Sequence, residues 1–288
     1  MSVSKNLDLR GRFQEKYEKD ENFRMKVEDF RRLLFTPKTK LSLKEIATRV
    51  IDISLDLGLP KPDLSAGVEI PEEEFGFELI KKLPEKVSVE KISFNETKKY
   101  VPVILQPKED IEKGNKVVAV YVSGFKGESL DARLAGYKVI EVTIVWAGEY
   151  DPFYGIYSDV WRLIAWGRLE DIETIHLLVK DDVIRATYLP KALYMEKYNV
   201  WRLIEPAFSE ESGWKKTQHH LKTEEVRELK LYVNTWNHAI SFTDLLPNER
   251  KVEQKPFVDF EVREGWRVDA EKVYSMLKYG DESFIKSS

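Results

Sequence analysis

The stretch KVIEVTIVW at residues 138–146 alternates with a period of two. Ile140, Val142, Ile144 and Trp146 fall on one face, and Val139, Glu141 and Thr143 on the other. Only an extended strand gives successive side chains opposite directions, and an apolar row ending in tryptophan has to be buried. This segment therefore predicts a strand laid against a core. Further strand candidates are KYVPVIL at 99–105, KVVAVYVS at 116–123, TIHLLV at 174–179, VIRATYL at 183–189, ELKLYVNTW at 228–236 and FVDFEV at 257–262. No helical segments alternate regularly with them, which argues for a mainly antiparallel β-sheet or β-sandwich body and against a doubly wound parallel sheet.

The first 60 residues carry a different period. Phe23, Val27, Phe30 and Leu34 form one helical stripe that begins after Asp20 and stops before Thr36-Pro37. Ser42 and Glu45 have the spacing of a capping box, Ile46, Val50, Ile53 and Leu57 supply a second stripe, and Gly58 with Pro60 ends it. Residues 58–86, with Pro60, Pro62, Pro71 and Pro84 around PEEEF, read as an irregular connection. The expected fold class is α+β: N-terminal helices packed on a mainly antiparallel sheet or sandwich. Residues 1–86 form the helical region with its connection, and residues 87–288 form the β-rich body with a C-terminal helix around Asp269 to Tyr279.

Composition removes several classes of function. The chain has no cysteine, which excludes disulfides, thiolate metal sites and cysteine nucleophiles. Its net charge is -4 with both signs mixed, so there is no global field to hold nucleic acid. No apolar run is long enough to span a bilayer, and the N-terminus has no apolar targeting segment; a soluble, cytoplasmic protein without a membrane partner is expected. Four glutamines among abundant lysine and glutamate match the tendency of heat-adapted proteins, so a thermophile origin is expected. Self-association into a homo-oligomer is compatible with all of this.

Three of the four histidines, His219, His220 and His238, lie within twenty residues. With a carboxylate they are the candidate ligands of a divalent metal ion, although adjacent His219 and His220 point apart on any regular element. On a strand continued through residue 238, Tyr232, Asn234, Trp236 and His238 share a polar face opposite Leu229, Leu231 and Val233. A second group, AGEYDPFYGIYSDVWRLIAW at 147–166, reads as an irregular segment that places Glu149, Asp151 and Asp159 among Tyr150, Tyr154 and other aromatics. Rings that stack on apolar sugar faces and carboxylates that accept from hydroxyls would make a ligand site; the plain alternative is a loop that sends Trp161, Leu163 and Ile164 to the core. The candidate ligand-binding residues are thus Glu149, Tyr150, Asp151, Tyr154, Asp159, Asn234 and Trp236.

Asp63 with Glu96-Thr97-Lys98 copies a nuclease spacing, but Asp63 sits in the proline-rich connection. There is no phosphate-binding glycine loop, HExxH or GxSxG. His176 alternates with Ile175 and Leu177, either buried and hydrogen-bonded or on a solvated face. Residues 1–50 hold 13 lysines and arginines against 8 acids, so Arg24, Arg31, Arg32 and Lys38 could face phosphates, yet the interspersed Glu28 and Asp29 make nucleic acid an unfavoured partner. The first expectation is therefore a ligand-binding or structural β-rich protein without an evident catalytic site. The alternatives are a metal-assisted hydrolase using the histidines and Asp159, and a nucleic-acid-associated protein.

Overall fold

The computed structural model describes residues 3–35, 41–62, 74–75, 90–129, 134–149, 155–188, 229–234, 238, 240–242 and 244–277. The chain divides into two compact units. One comprises Met1–Leu83, Asp151–Leu169 and Tyr274–Ser288, and the other Pro84–Tyr150 and Glu170–Val273.

The first unit is helical. Helices α1 (Val3–Lys19), α2 (Glu21–Phe35) and α3 (Leu43–Asp56) bury the stripes that their spacing requires, with Phe13, Val27 and Phe30 fully enclosed. The hydroxyl of Ser42 accepts from the Glu45 N–H and the Glu45 carboxylate accepts from the Ser42 N–H, so the capping box at α3 is complete. Gly58 follows in the left-handed region at φ 73°. A short antiparallel pair, β1 (Leu41–Ser42) and β2 (Glu74–Phe75), precedes and follows α3 in the chain.

This core has a fourth helix, in the aromatic-rich stretch whose glycines and proline read as irregular. Residues 156–166 are not irregular: Ile156–Trp166 forms α6, whose Val160, Leu163 and Ile164 are fully buried and whose Trp161 packs on Phe30 at 6.0 Å. Gly155, at φ 54°, sets the boundary, while the apolar positions inside it recur at helical spacing. At the other end Gly167 takes φ 67°, where a Cβ would lie 2.8 Å from the Leu277 backbone nitrogen. The buried Arg31 donates to the carbonyls of Ile164 and Ala165, satisfying acceptors that the last turn of α6 leaves open.

The second unit holds two mixed, mainly antiparallel sheets. Five strands run in the order β11 (Glu261–Glu264), β4 (Val117–Lys126), β5 (Lys138–Trp146), β6 (Asp171–Lys180), β7 (Val183–Tyr188), with only β11–β4 parallel. Four run in the order β10 (Lys251–Gln254), β3 (Val103–Pro107), β8 (Lys230–Val233), β9 (Ile240–Ser241), with only β3–β8 parallel. Short helices α4 (Phe94–Thr97) and α5 (Lys108–Glu112) flank β3, and α7 (Arg267–Tyr274) closes the unit. Both sheets feed one apolar cluster: Ile140, Val142, Ile144 and Trp146 from β5 meet Ile104 of β3, Leu231 and Val233 of β8 and Ile240 of β9.

Three strand boundaries differ from the alternation. Lys98–Tyr100 is a 3-10 turn, so β3 starts only at Val103. The stretch FVDFEV becomes a turn with Phe257 at φ 63° before β11, and β10 emerges from a segment with no strand pattern. Strand β8 ends at Val233 and does not continue to residue 238.

The reverse face of β5 is enclosed as well, since Glu141 and Thr143 are fully buried. At β5 this sheet is therefore covered on both sides. Truncating the apolar row should be the costliest change, and Ile144→Ala is expected to lose about 2–5 kcal/mol through transfer and cavity terms. Thr143→Val removes a hydroxyl at nearly constant shape and should lose about 1 kcal/mol. Denaturant titration of both variants checks the order, and equal losses would contradict the assignment of faces.

Candidate functional site

Two buried polar clusters stand out in the second unit, each centred on a histidine. In the first, His238 lies in the connection between β8 and β9 with its backbone at φ 51° and its side chain wholly enclosed. Left-handed backbone is uncommon for a residue with a Cβ, although histidine tolerates it better than most. The ring stacks on Trp146 at the end of β5, with centroids 4.6 Å apart and planes 15° from parallel. Its Nε2 lies 3.0 Å from Oδ2 of Asp110 in α5, and its Nδ1 lies 2.9 Å from Oδ2 of Asp171 at the start of β6.

Asp110 is itself held by neighbours. Asn115 donates to its Oδ1 at 2.7 Å and the Gln106 amide donates to its Oδ2. Gln106 accepts from Gln254 at 2.6 Å, and Gln254 accepts from the Val117 N–H at 3.1 Å. The chain of bonds thus joins α5, β3 and β10 on the four-stranded side to β4 and β6 of the five-stranded sheet. Burial pushes the His238 imidazole down, but the hydrogen bonds and negative charges of Asp110 and Asp171 outweigh it and hold its pKa above the ordinary 6.5.

The second cluster lies on the opposite face of the five-stranded sheet. Glu141 of β5 and His176 of β6 are cross-strand partners in register, and Nε2 of His176 lies 2.9 Å from Glu141 Oε2 with both side chains enclosed. The other carboxylate oxygen accepts from the Arg267 backbone N–H at 2.6 Å, at the first residue of α7. Two residues along, the hydroxyls of Thr143 and Thr174 are 2.9 Å apart, and Arg267 donates to Thr174 at 3.3 Å. Arg267 also pairs with Glu271 one turn further on. Across β4, Tyr121 receives a hydrogen bond from Arg263 of β11 at 3.0 Å. On this face hydrogen-bonded polar groups thus link β5 with β6 and the start of α7, and a separate pair links β4 with β11.

These placements redistribute the residues singled out from sequence. His238 does not sit on a solvated strand face with Tyr232 and Asn234. It turns inward past the end of β8, and both its nitrogens are occupied by carboxylates along the directions a metal ion would use. Asn234 is buried, donating to Ser241 at 2.8 Å and accepting from the Leu245 N–H at 2.9 Å. Glu149 is half-buried just beyond β5 in the second unit, and Asp159 is half-buried in the first turn of α6 in the first. His219, His220, Tyr150, Asp151, Tyr154, Trp236, Asp63 and Lys38 lie outside the described residues. Among the described residues no group of three or more histidine and carboxylate side chains is arranged to hold a metal ion.

Sequence reasoning missed Asp110, Asp171 and Glu141. The first two come from positions 128 and 67 residues away from His238, on elements whose pairing no local pattern encodes. Glu141 and His176 did leave a signal, each being the polar phase of an otherwise apolar strand. Comparison of the chain with protein-family models, curated proteins and solved structures finds no match.

Removing Glu141 takes a buried acceptor from the His176 ring and from the Arg267 N–H, so Glu141→Ala should lose about 1–3 kcal/mol for each hydrogen bond lost. Glu253→Ala, which breaks a half-exposed pair with Lys230, should lose no more than about 1 kcal/mol. Parallel denaturation curves separate the two, and a Glu141 variant as mild as the Glu253 one would remove Glu141 from the network.

Proposed function

We propose that the chain is a soluble, intracellular β-rich protein with a structural or ligand-binding role, in preference to a metal-assisted hydrolase. One observation carries this reading: both described histidines are spent on carboxylates inside the fold, His238 on Asp110 and Asp171, His176 on Glu141. A histidine that serves as ligand or general base needs one nitrogen open to the ion or substrate. His238 has neither nitrogen open. Asn234 supports the structural form of the reading, since its amide serves Ser241, Leu245 and its own strand.

Two sheets that share one apolar core support describing the body as a β-sandwich. No helix among the described residues is long and apolar enough to cross a membrane, which accords with the soluble reading. Linked surface ion pairs, Lys26 with Asp52 and Asp56 and Lys138 with Glu96 and Asp182, accord with a thermophile origin. The nucleic-acid alternative loses support where its basic patch was drawn: Arg31 is buried against α6, and Arg32 is paired with Asp29.

The test is metal content. Protein purified without an affinity tag is expected to carry no stoichiometric transition metal and to show no melting shift with zinc, manganese or nickel. One bound equivalent that disappears when His219 and His220 are both replaced by alanine would favour the hydrolase instead.

A further inference from the structure

The turn between β10 and β11 is closed by its own hydrogen bonds. The Val258 and Asp259 N–H groups donate to the Lys255 carbonyl at 3.3 and 3.0 Å, and the Asp259 carboxylate accepts from the Lys255 N–H at 2.7 Å. Both ends of the turn are anchored. Gln254 on one side is buried and bonded to Gln106 and to the Val117 N–H, and Phe260 on the other belongs to the core that the two sheets share.

The apex of this turn is apolar and open. Phe257 is 59% exposed and Val258 78%, and they are consecutive, whereas the other exposed large apolar side chains among the described residues, Met25, Leu55, Leu245 and Val273, stand singly in the chain. Phe257 also holds φ at 63°, a left-handed backbone that is costly for a residue with a Cβ and that glycine would adopt freely. Burial of the ring offsets neither the strain nor the exposure. A strained residue that folding does not require is a reason to look for a contact outside the chain.

The charges beside the apex indicate what that contact is. Lys255 and Asp259 are both exposed and stand equally far along the chain on either side of Phe257. A two-fold axis through Phe257 therefore sets Lys255 of one copy against Asp259 of the other, and does so twice, because an isologous contact repeats each of its pairings. The turn uses only Oδ2 of Asp259, and the carboxylate has acceptor capacity left for a second partner. An anionic lipid surface fits less well, since the exposed Glu253, Asp259, Glu261 and Glu264 lie on the turn and on the strands that flank it.

We propose that the Phe257–Val258 apex is a self-association contact: two copies of the chain dock turn to turn about a two-fold axis, Phe257 and Val258 bury against their counterparts, and Lys255 pairs with Asp259 across the axis in both directions. Two apolar side chains from each copy bury far less than the roughly 1,000 Å² of a stable interface, so the dimer is weak, with a dissociation constant of about 0.1–1 mM. The contact goes beyond the structural or ligand-binding reading and does not depend on it.

Sedimentation equilibrium of the full chain from about 10 µM to about 1 mM tests the contact, and the native chain should shift from monomer toward dimer across that range. Phe257→Gly, which relieves the left-handed backbone, and Val258→Ser should each weaken association about tenfold while the melting temperature stays close to that of the native chain. Lys255→Glu and Asp259→Lys should each abolish association, because like charges then face each other across the axis. An equimolar mixture of these two variants should recover it as a mixed dimer, in which both pairings are again of opposite sign. Damage to the turn in either variant could not produce that recovery. A native chain that stays monomeric up to about 1 mM would overturn the proposal, whether or not it binds phosphatidylglycerol vesicles through the same apex. So would association that Phe257→Gly leaves unchanged, or a mixture of the two charge variants that stays monomeric although both keep the native circular dichroism.

Discussion

Strand β5 is covered on both faces, and that single constraint organises the second unit. One face supplies Ile140, Val142, Ile144 and Trp146 to the core that the two sheets share. The other carries Glu141 and Thr143, which are just as deeply enclosed. A polar group taken out of water without a partner costs several kcal/mol, so each must be answered by a neighbour. The answers come from β6, where His176 and Thr174 stand directly across, and from the start of α7, where the Arg267 N–H reaches the Glu141 carboxylate. The register of β5 against β6 is thereby specified twice, by apolar packing on one side and by cross-strand hydrogen bonds on the other. A slip of one residue would fail on both faces.

The same logic explains the cluster at the end of the shared core. Its glutamines, asparagine and two aspartates do not form an open pocket; they hand hydrogen bonds from one to the next until His238 closes the chain against Asp171. Networks of this sort contribute little net stability when compared with apolar replacements, and their value lies in excluding other arrangements of the parts. Two sheets that touch only through aliphatic side chains could slide. Sheets that must also present a carboxylate to each nitrogen of one ring have far fewer choices.

In the first unit specificity comes from helix ends. The capping box at Ser42 and Glu45 fixes where α3 begins, and the Arg31 guanidinium fixes where α6 ends by taking the carbonyls of Ile164 and Ala165. Arg31 shows how little a charge reveals about its use. In sequence it belongs to a basic stretch suited to phosphate; in the fold it is buried and serves the backbone of another helix.

Local periodicity determined much of this protein by itself. The stripes of α2 and α3, the capping box, the strand character of β4 to β7 and the apolar row of β5 all follow from spacings of two or of three to four residues, because those spacings reflect backbone geometry that neighbours cannot alter. Helix α6 was hidden only because its glycine, proline and tyrosine flank resembles a loop. What tertiary structure alone decided was the fate of polar groups. Whether Glu141, Thr143, Asn234 and His238 face water depends on what covers them, and the covering elements come from distant parts of the chain. The partners of His238 lie 67 and 128 residues away, and no sequence pattern of finite range can pair an imidazole with carboxylates that only the packing of two sheets brings within 3.0 Å.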